Sequence, residues 1–238
     1  MDKKPILLYK TLVVGVIVLL ISVAVQPSIA TIQPKEEKNI EPKEFLFQTI
    51  INLENNPDVQ SLLEQYNNKI LISDYDYKSV LSQLLFKKPR LLFSMIFTKP
   101  SVTYDYLEKS YNKGIKITNI LGEDKALEVL ESVEISNPKV FDELNNIILN
   151  NEELSSRIAT LKEMNKEFNP IAPLDANPIV CGTLALILIP TLIIMAFYYA
   201  LAVLFVENTT LSNIFLFVFG IFGGLALGCY SLMLAVGY

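Results

Sequence analysis

Ser110 and Lys113 frame the stretch SYNK, and a lysine one helical turn after a serine can take the hydroxyl proton as the oxygen attacks an acyl group. Neither companion motif of such sites, Ser-Asp-Asn or Lys-Thr-Gly, follows, and with this many serines and lysines about one such spacing arises by chance. Asp74 and Asp76 in SDYDYK could share a cation, but the glycine and closing glutamate of a calcium loop are missing; a capped helix start accounts for them. The chain has no histidine, which removes Ser-His-Asp arrangements, the common zinc ligand sets and the simplest general base near neutral pH. No catalytic residue, metal or cofactor is therefore expected.

The remaining reactive groups point the same way. Cys181 and Cys229 both fall in a C-terminal apolar region, at depths that differ by about 15 Å by helical rise, too far apart for a disulfide within one hairpin. Six of the nine glycines lie in or beside that region, so no phosphate-cradling loop is available. A net charge of -5 argues against nucleic acid as a partner.

Positive mean hydropathy and 51% apolar residues are high for a soluble protein of 238 residues, and the excess sits in three blocks. Two of them, 179–206 and 214–238, contain no charged residue and exceed the roughly 20 residues needed to cross ~30 Å of hydrocarbon. They read as a transmembrane hairpin joined by the polar loop 207–213. The third, within 1–30, follows lysines at 3, 4 and 10 and precedes Ser28 and Ala30 at small-x-small spacing, the outline of a secretory leader or an N-terminal anchor. LVVGVIVLLISVAVQPSIA resembles the leaders of secreted proteins in archaea, which implies a prokaryotic source. The leader lysines hold the N-terminus inside, so the chain after Thr31 is expected outside and loop 207–213 in the cytoplasm. Locally the charges run the other way: VENTTLSN has no cation, whereas Lys162 and Lys166 precede the hairpin. The leader prevails in this reading, because a long domain translocates largely regardless of its charge. The sequon at Asn208 would then stay unmodified.

Between two linkers, 31–43 and the Pro-rich 169–178, the segment 44–168 reads as an extracytoplasmic helical domain with no convincing strand. Asn56-Pro57, Lys88-Pro89, Lys99-Pro100 and Asn137-Pro138 mark helix starts, and Gly122 a stop. Val140, Phe141, Leu144, Ile147 and Ile148 make one core-facing helix side. Leu154, Ile158, Leu161, Met164 and Phe168 form a narrower stripe, suited to a stalk or a small pairing seam. NPDVQSLLEQ and NPKVFDELNN share an opening that hints at an irregular helical repeat.

Two features remain as candidate sites. Gly220, Gly224 and Gly228 repeat every four residues and allow close helix approach, with Ala196 and Ala200 of the preceding helix as the nearest small-residue partner and self-association or a membrane-protein partner as the alternative. The second is 77–104, five cations without an acid (+5) inside a 31–178 domain of net -6. Its residues Lys87, Lys88, Arg90, Lys99, Phe93 and Phe97 suit a membrane or partner surface, while PRLLFSMIF also reads as the central helix of a bundle. The fold expected is all-α, an exported helical bundle plus a two-helix membrane hairpin. The function expected is that of a non-catalytic interaction or scaffold protein at the cell surface, with the lipid bilayer as its first partner. The alternatives are an accessory subunit of a larger membrane complex and a membrane-tethered enzyme using carboxylates or the Ser110–Lys113 pair.

Overall fold

In the computed structural model the described residues are 41–66, 71–73, 77–97, 102–135, 138–166 and 179–236. The leader or anchor 1–30, the linker 169–178, Asp74, Asp76, Lys99 and Phe168 lie outside them.

Ten helices make up nearly all of the described chain: α1 Pro42–Glu54, α2 Pro57–Gln65, α3 Tyr77–Lys87, α4 Pro89–Ile96, α5 Tyr104–Leu121, α6 Glu123–Glu131, α7 Pro138–Asn150, α8 Glu152–Lys166, α9 Ile179–Leu204 and α10 Thr209–Val236. Proline opens α1, α2, α4 and α7, where its missing N–H is no loss and its φ is already helical. Asn56 completes the start of α2 by accepting from the backbone N–H of Asp58 and Val59. Gly122 breaks α5 from α6 at φ 88°, a backbone conformation that disfavours any side chain.

A short antiparallel pair, β1 Leu71–Ser73 and β2 Val133–Ile135, interrupts the helical pattern, with Ile72 opposite Glu134. The sequence reading contains no strand, because three residues are too few to display an alternation and the pairing joins segments far apart in the chain. The two look-alike segments are α2 and α7; they pack on each other, and the Tyr66 hydroxyl donates to Glu143 at 3.0 Å. The expected face of α7 is present, with Val140, Leu144 and Ile148 buried.

The centre of this arrangement is α9. It lies against α10 along its length, and α1, α3, α4, α5, α6 and α8 all touch it, while α1, α7 and α8 flank α10. The stripe on α8 is accordingly not a stalk: Leu154, Ile158 and Leu161 are buried against α1, α7 and the hairpin. A narrow apolar stripe on a charged helix needs only a narrow partner, and the hairpin supplies it. PRLLFSMIF is likewise not the central helix. As α4 it lies at the periphery, burying Leu92, Met95 and Ile96 and leaving Phe93 and Phe97 exposed.

Candidate functional site

Hairpin packing begins at a glycine outside the hairpin. Pro190 has no N–H to offer the carbonyl of Leu186, four residues back in α9, and Gly114 of α5 lies over that oxygen. A Cβ on Gly114 would stand 1.8 Å from the Leu186 oxygen, so the two backbones meet at a distance only glycine permits. Close Cα–H···O approach of this kind compensates in part for a helix carbonyl without its usual partner. Nothing in the periodicity of α5 singles out Gly114, which sequence reasoning missed.

The hairpin divides at Tyr198 and Phe222, whose rings stack at 6.3 Å. On one side of that level α9 and α10 are enclosed, with Leu184, Ile187, Ile193, Ala226 and Leu232 fully or almost fully buried. On the other side an apolar band emerges: Tyr199, Val203, Leu204, Phe205, Val206, Phe217 and Ile221 are exposed, Leu204 at 75%. Rings hold the two arms together there, Tyr199 on Phe219 and Phe205 on Phe215, and the Ser212 hydroxyl donates to the Ala202 carbonyl at 3.0 Å. The connection is shorter than 207–213. Asn208 accepts from the Leu211 N–H and starts α10 at Thr209, so five of the seven residues 207–213 are helix. Glu207, Asn208, Thr209 and Thr210 form an exposed polar tip.

The glycine ridge faces the enclosing helices. A Cβ on Gly224 would stand 3.1 Å from Leu63, and one on Gly228 would stand 2.8 Å from Glu54 and 3.5 Å from Leu53. Gly223, which is not in the ridge, is the glycine that faces α9, at Met195. Ala196 is half-buried, Ala200 exposed and Gly220 half-exposed, so these three are not joined with Gly224 and Gly228 in one contact. Small residues at four-residue spacing reveal a face suited to close approach and leave its partner unspecified.

Opposite Gly228 lies a buried polar group that no motif revealed. Glu54 is half-buried as a residue, but its Oε1 is closed off from solvent and has no hydrogen-bond partner. Burial pushes its carboxyl up to about 7. Tyr106 of α5 stands near, and burial pushes its hydroxyl up to about 12, opposed by a hydrogen bond with Ser110.

That bond also bears on the Ser-x-x-Lys spacing. Ser110 is buried and hydrogen-bonded to Tyr106, whereas the Lys113 amine donates to the Ser94 carbonyl at 2.8 Å. Burial and then the neighbouring Lys109 lower the Lys113 pKa. Among the described residues no cluster of acids or cysteines has metal-ligand geometry, and a surface depression lined by Phe45, Glu152, Glu153 and Arg157 among others is open to solvent. The Cys181 and Cys229 side chains are buried and not joined by a disulfide.

The basic segment forms an exposed corner where α3 meets α4. Phe86 is 85% and Phe97 64% exposed, Phe93 stacks on Phe97 at 6.3 Å, and Lys87, Lys88 and Arg90 are all exposed. One hydrogen bond ties this corner to the hairpin, from the Tyr198 hydroxyl to the Ile96 carbonyl at 2.9 Å. The chain matches no protein-family model, curated protein or solved structure. Two helices, of 25 and 28 residues, are long and apolar enough to cross a membrane.

Proposed function

We propose that the chain is a membrane-anchored, extracytoplasmic helical protein, held by its C-terminal hairpin and acting as a non-catalytic interaction or scaffold protein. The observation that supports this reading is the bare apolar band beyond Tyr198 and Phe222, closed by a polar tip. Apolar side chains in water are unfavourable at about 25 cal/mol per Å², and a bilayer relieves that cost for both arms together. The polar tip fits a hairpin whose loop reaches water on the far side, in the cytoplasm if the leader lysines set orientation. A charge such as Glu207 left at mid-bilayer costs about 3 kcal/mol.

Length adds a requirement. By helical rise the free arms measure roughly 12–18 Å, about half of the ~30 Å hydrocarbon layer. A full crossing therefore draws about as much again of α9 and α10 out of the enclosing helices, and it breaks the Tyr198–Ile96 and Glu54–Gly228 contacts. Gly114 and Leu186 lie at the limit of that withdrawal.

Extraction tests the reading. The chain should resist alkaline carbonate, leave the membrane only with detergent, and copurify in mild detergent with a stoichiometric membrane partner or a second copy. Val203→Asp with Phe217→Asp should release it to carbonate. A native chain that carbonate releases, or that purifies alone as a monomer, is incompatible with an anchored scaffold.

A further inference from the structure

The hairpin is not the chain's sole exposed apolar surface, and the second is charged. In α4, Arg90, Phe93, Ser94 and Phe97 recur at helical spacing and form one outward stripe, continued by Phe86 and Lys88 across the turn from α3. A stacked pair of exposed phenylalanines beside cations is unfavourable for a face that meets only water. None of the ion pairs between described residues involves Lys88 or Arg90, and the Lys87 amine turns back to the Ile120 carbonyl at 3.5 Å. The outward cations are thus Lys88 and Arg90, in the acid-free stretch of an otherwise acidic domain.

We propose that the outward face of the α3–α4 corner is a docking surface for anionic lipid headgroups, next to the hairpin. The inference rests on the anchoring proposed above and adds the lipid class and the residues that read it. Continuity with the hairpin favours lipid over an acidic protein: Tyr198 binds Ile96, so the Phe97 end of α4 lies where the apolar band emerges. By helical rise α4 is about 12 Å long, with Phe97 at the end tied to the hairpin and Lys88 and Arg90 at the opposite end. Aromatic rings nearer the acyl chains with cations above them is the order an interfacial helix adopts at a leaflet.

The test uses the full chain with Cys181→Ala and Cys229→Ala, reconstituted into neutral vesicles or vesicles with anionic lipid. A polarity-sensitive dye is attached at Ser94→Cys in one sample and at Phe217→Cys in another. The expected result is an apolar Ser94 environment in anionic vesicles that reverts to water at high salt. Each engaged cation contributes about fivefold to docking, so Lys88→Gln with Arg90→Gln should lower the docked-to-undocked ratio about 30-fold. Lys88 donates no side-chain cap bond and Arg90 is exposed, so neither change disturbs the helix, as circular dichroism would verify. A Ser94 probe that stays in water in every vesicle while the Phe217 probe is in lipid overturns the docking surface and leaves the anchor standing. A Ser94 probe equally apolar in neutral and anionic vesicles, insensitive to salt, overturns it too and assigns the face to a protein contact. A Phe217 probe in water throughout removes the anchoring on which the inference rests.

Discussion

Substituting Gly114 by alanine adds one methyl group, and the sign of its effect on stability depends on whether α9 is seated in the bundle. On an uncovered helix face, glycine to alanine stabilises by about 1 kcal/mol, because glycine has more backbone freedom to lose on folding. Here the new Cβ would stand 1.8 Å from the Leu186 oxygen, where an unstrained carbon–oxygen contact needs about 3.3 Å. Backbone cannot rotate away as a side chain can, so α5 and α9 must separate by about 1.5 Å and loosen the packing of the buried Leu107 and Ile117 beside them. Overpacking of this kind costs roughly 1–3 kcal/mol. After the gain in helix propensity, the net change is a destabilisation of up to about 2 kcal/mol. Gly114→Val, which is larger and a poorer helix former, should be worse. Urea unfolding of the full chain in mild detergent, followed by far-ultraviolet circular dichroism, reads the difference. An alanine variant more stable than the parent, by the gain of about 1 kcal/mol expected on an uncovered face, would mean that α5 does not meet α9 at Leu186 and that the hairpin is not enclosed as described.

Two further predictions concern the contact between α1 and α10 and are read, like the first, on the chain in mild detergent with the hairpin enclosed. Glu54 has a folded pKa of about 7 against an ordinary value of 4.5, so its contribution is fully present below pH 4.5 and is lost as pH rises through 7. Thermal stability should fall over that window by about 2 kcal/mol after allowance for partial exposure, and Glu54→Gln should flatten the decline; an unchanged slope in the variant would place the titration elsewhere. Gly228→Ala would place a Cβ 2.8 Å from the Glu54 carboxyl oxygen, so that this flexible side chain must swing aside and the variant should lose a little stability, less than Gly114→Ala, whereas Gly220→Ala at a half-exposed position should be neutral or stabilising. Equal effects at the two glycines would show the ridge to be incidental.

Local rules were legible in the sequence, and the partners of each surface were not. The openings at Pro57, Pro89 and Pro138, the stop at Gly122 and the apolar face of α7 rest on backbone chemistry within a few residues, and the structure has them where expected; Lys99-Pro100 lies outside the described residues, and the helix after it opens at Tyr104 behind Thr103. The stripe on α8 was visible as a stripe, yet periodicity says which side is apolar and not what covers it, so a core helix read as a stalk. The same limit misdirected the glycine ridge toward Ala196 and Ala200 when α1 and α2 cover it. Glu54 sits in the polar run ENNPD and looks solvated; its carboxyl is sealed by α10, far along the chain. Gly114 offers no pattern, being a single residue whose role appears only beside the carbonyl that Pro190 leaves unpaired. The aromatic corner was noticed for its charge, and its exposure depends on α4 lying at the periphery rather than the centre.

Thiol accessibility of the hairpin tip tests the anchoring most directly. With Cys181→Ala and Cys229→Ala, a cysteine is introduced at Thr210 in the exposed tip or at Ser156 on the exposed side of α8, and intact cells receive a membrane-impermeant thiol reagent. The account predicts that the Ser156→Cys chain reacts at once, and that the Thr210→Cys chain reacts only after the cytoplasmic side is opened. Immediate labelling at both positions would mean that the tip never enters the bilayer, and labelling at Thr210→Cys with protection at Ser156→Cys would put the bundle on the opposite side; either result contradicts the account.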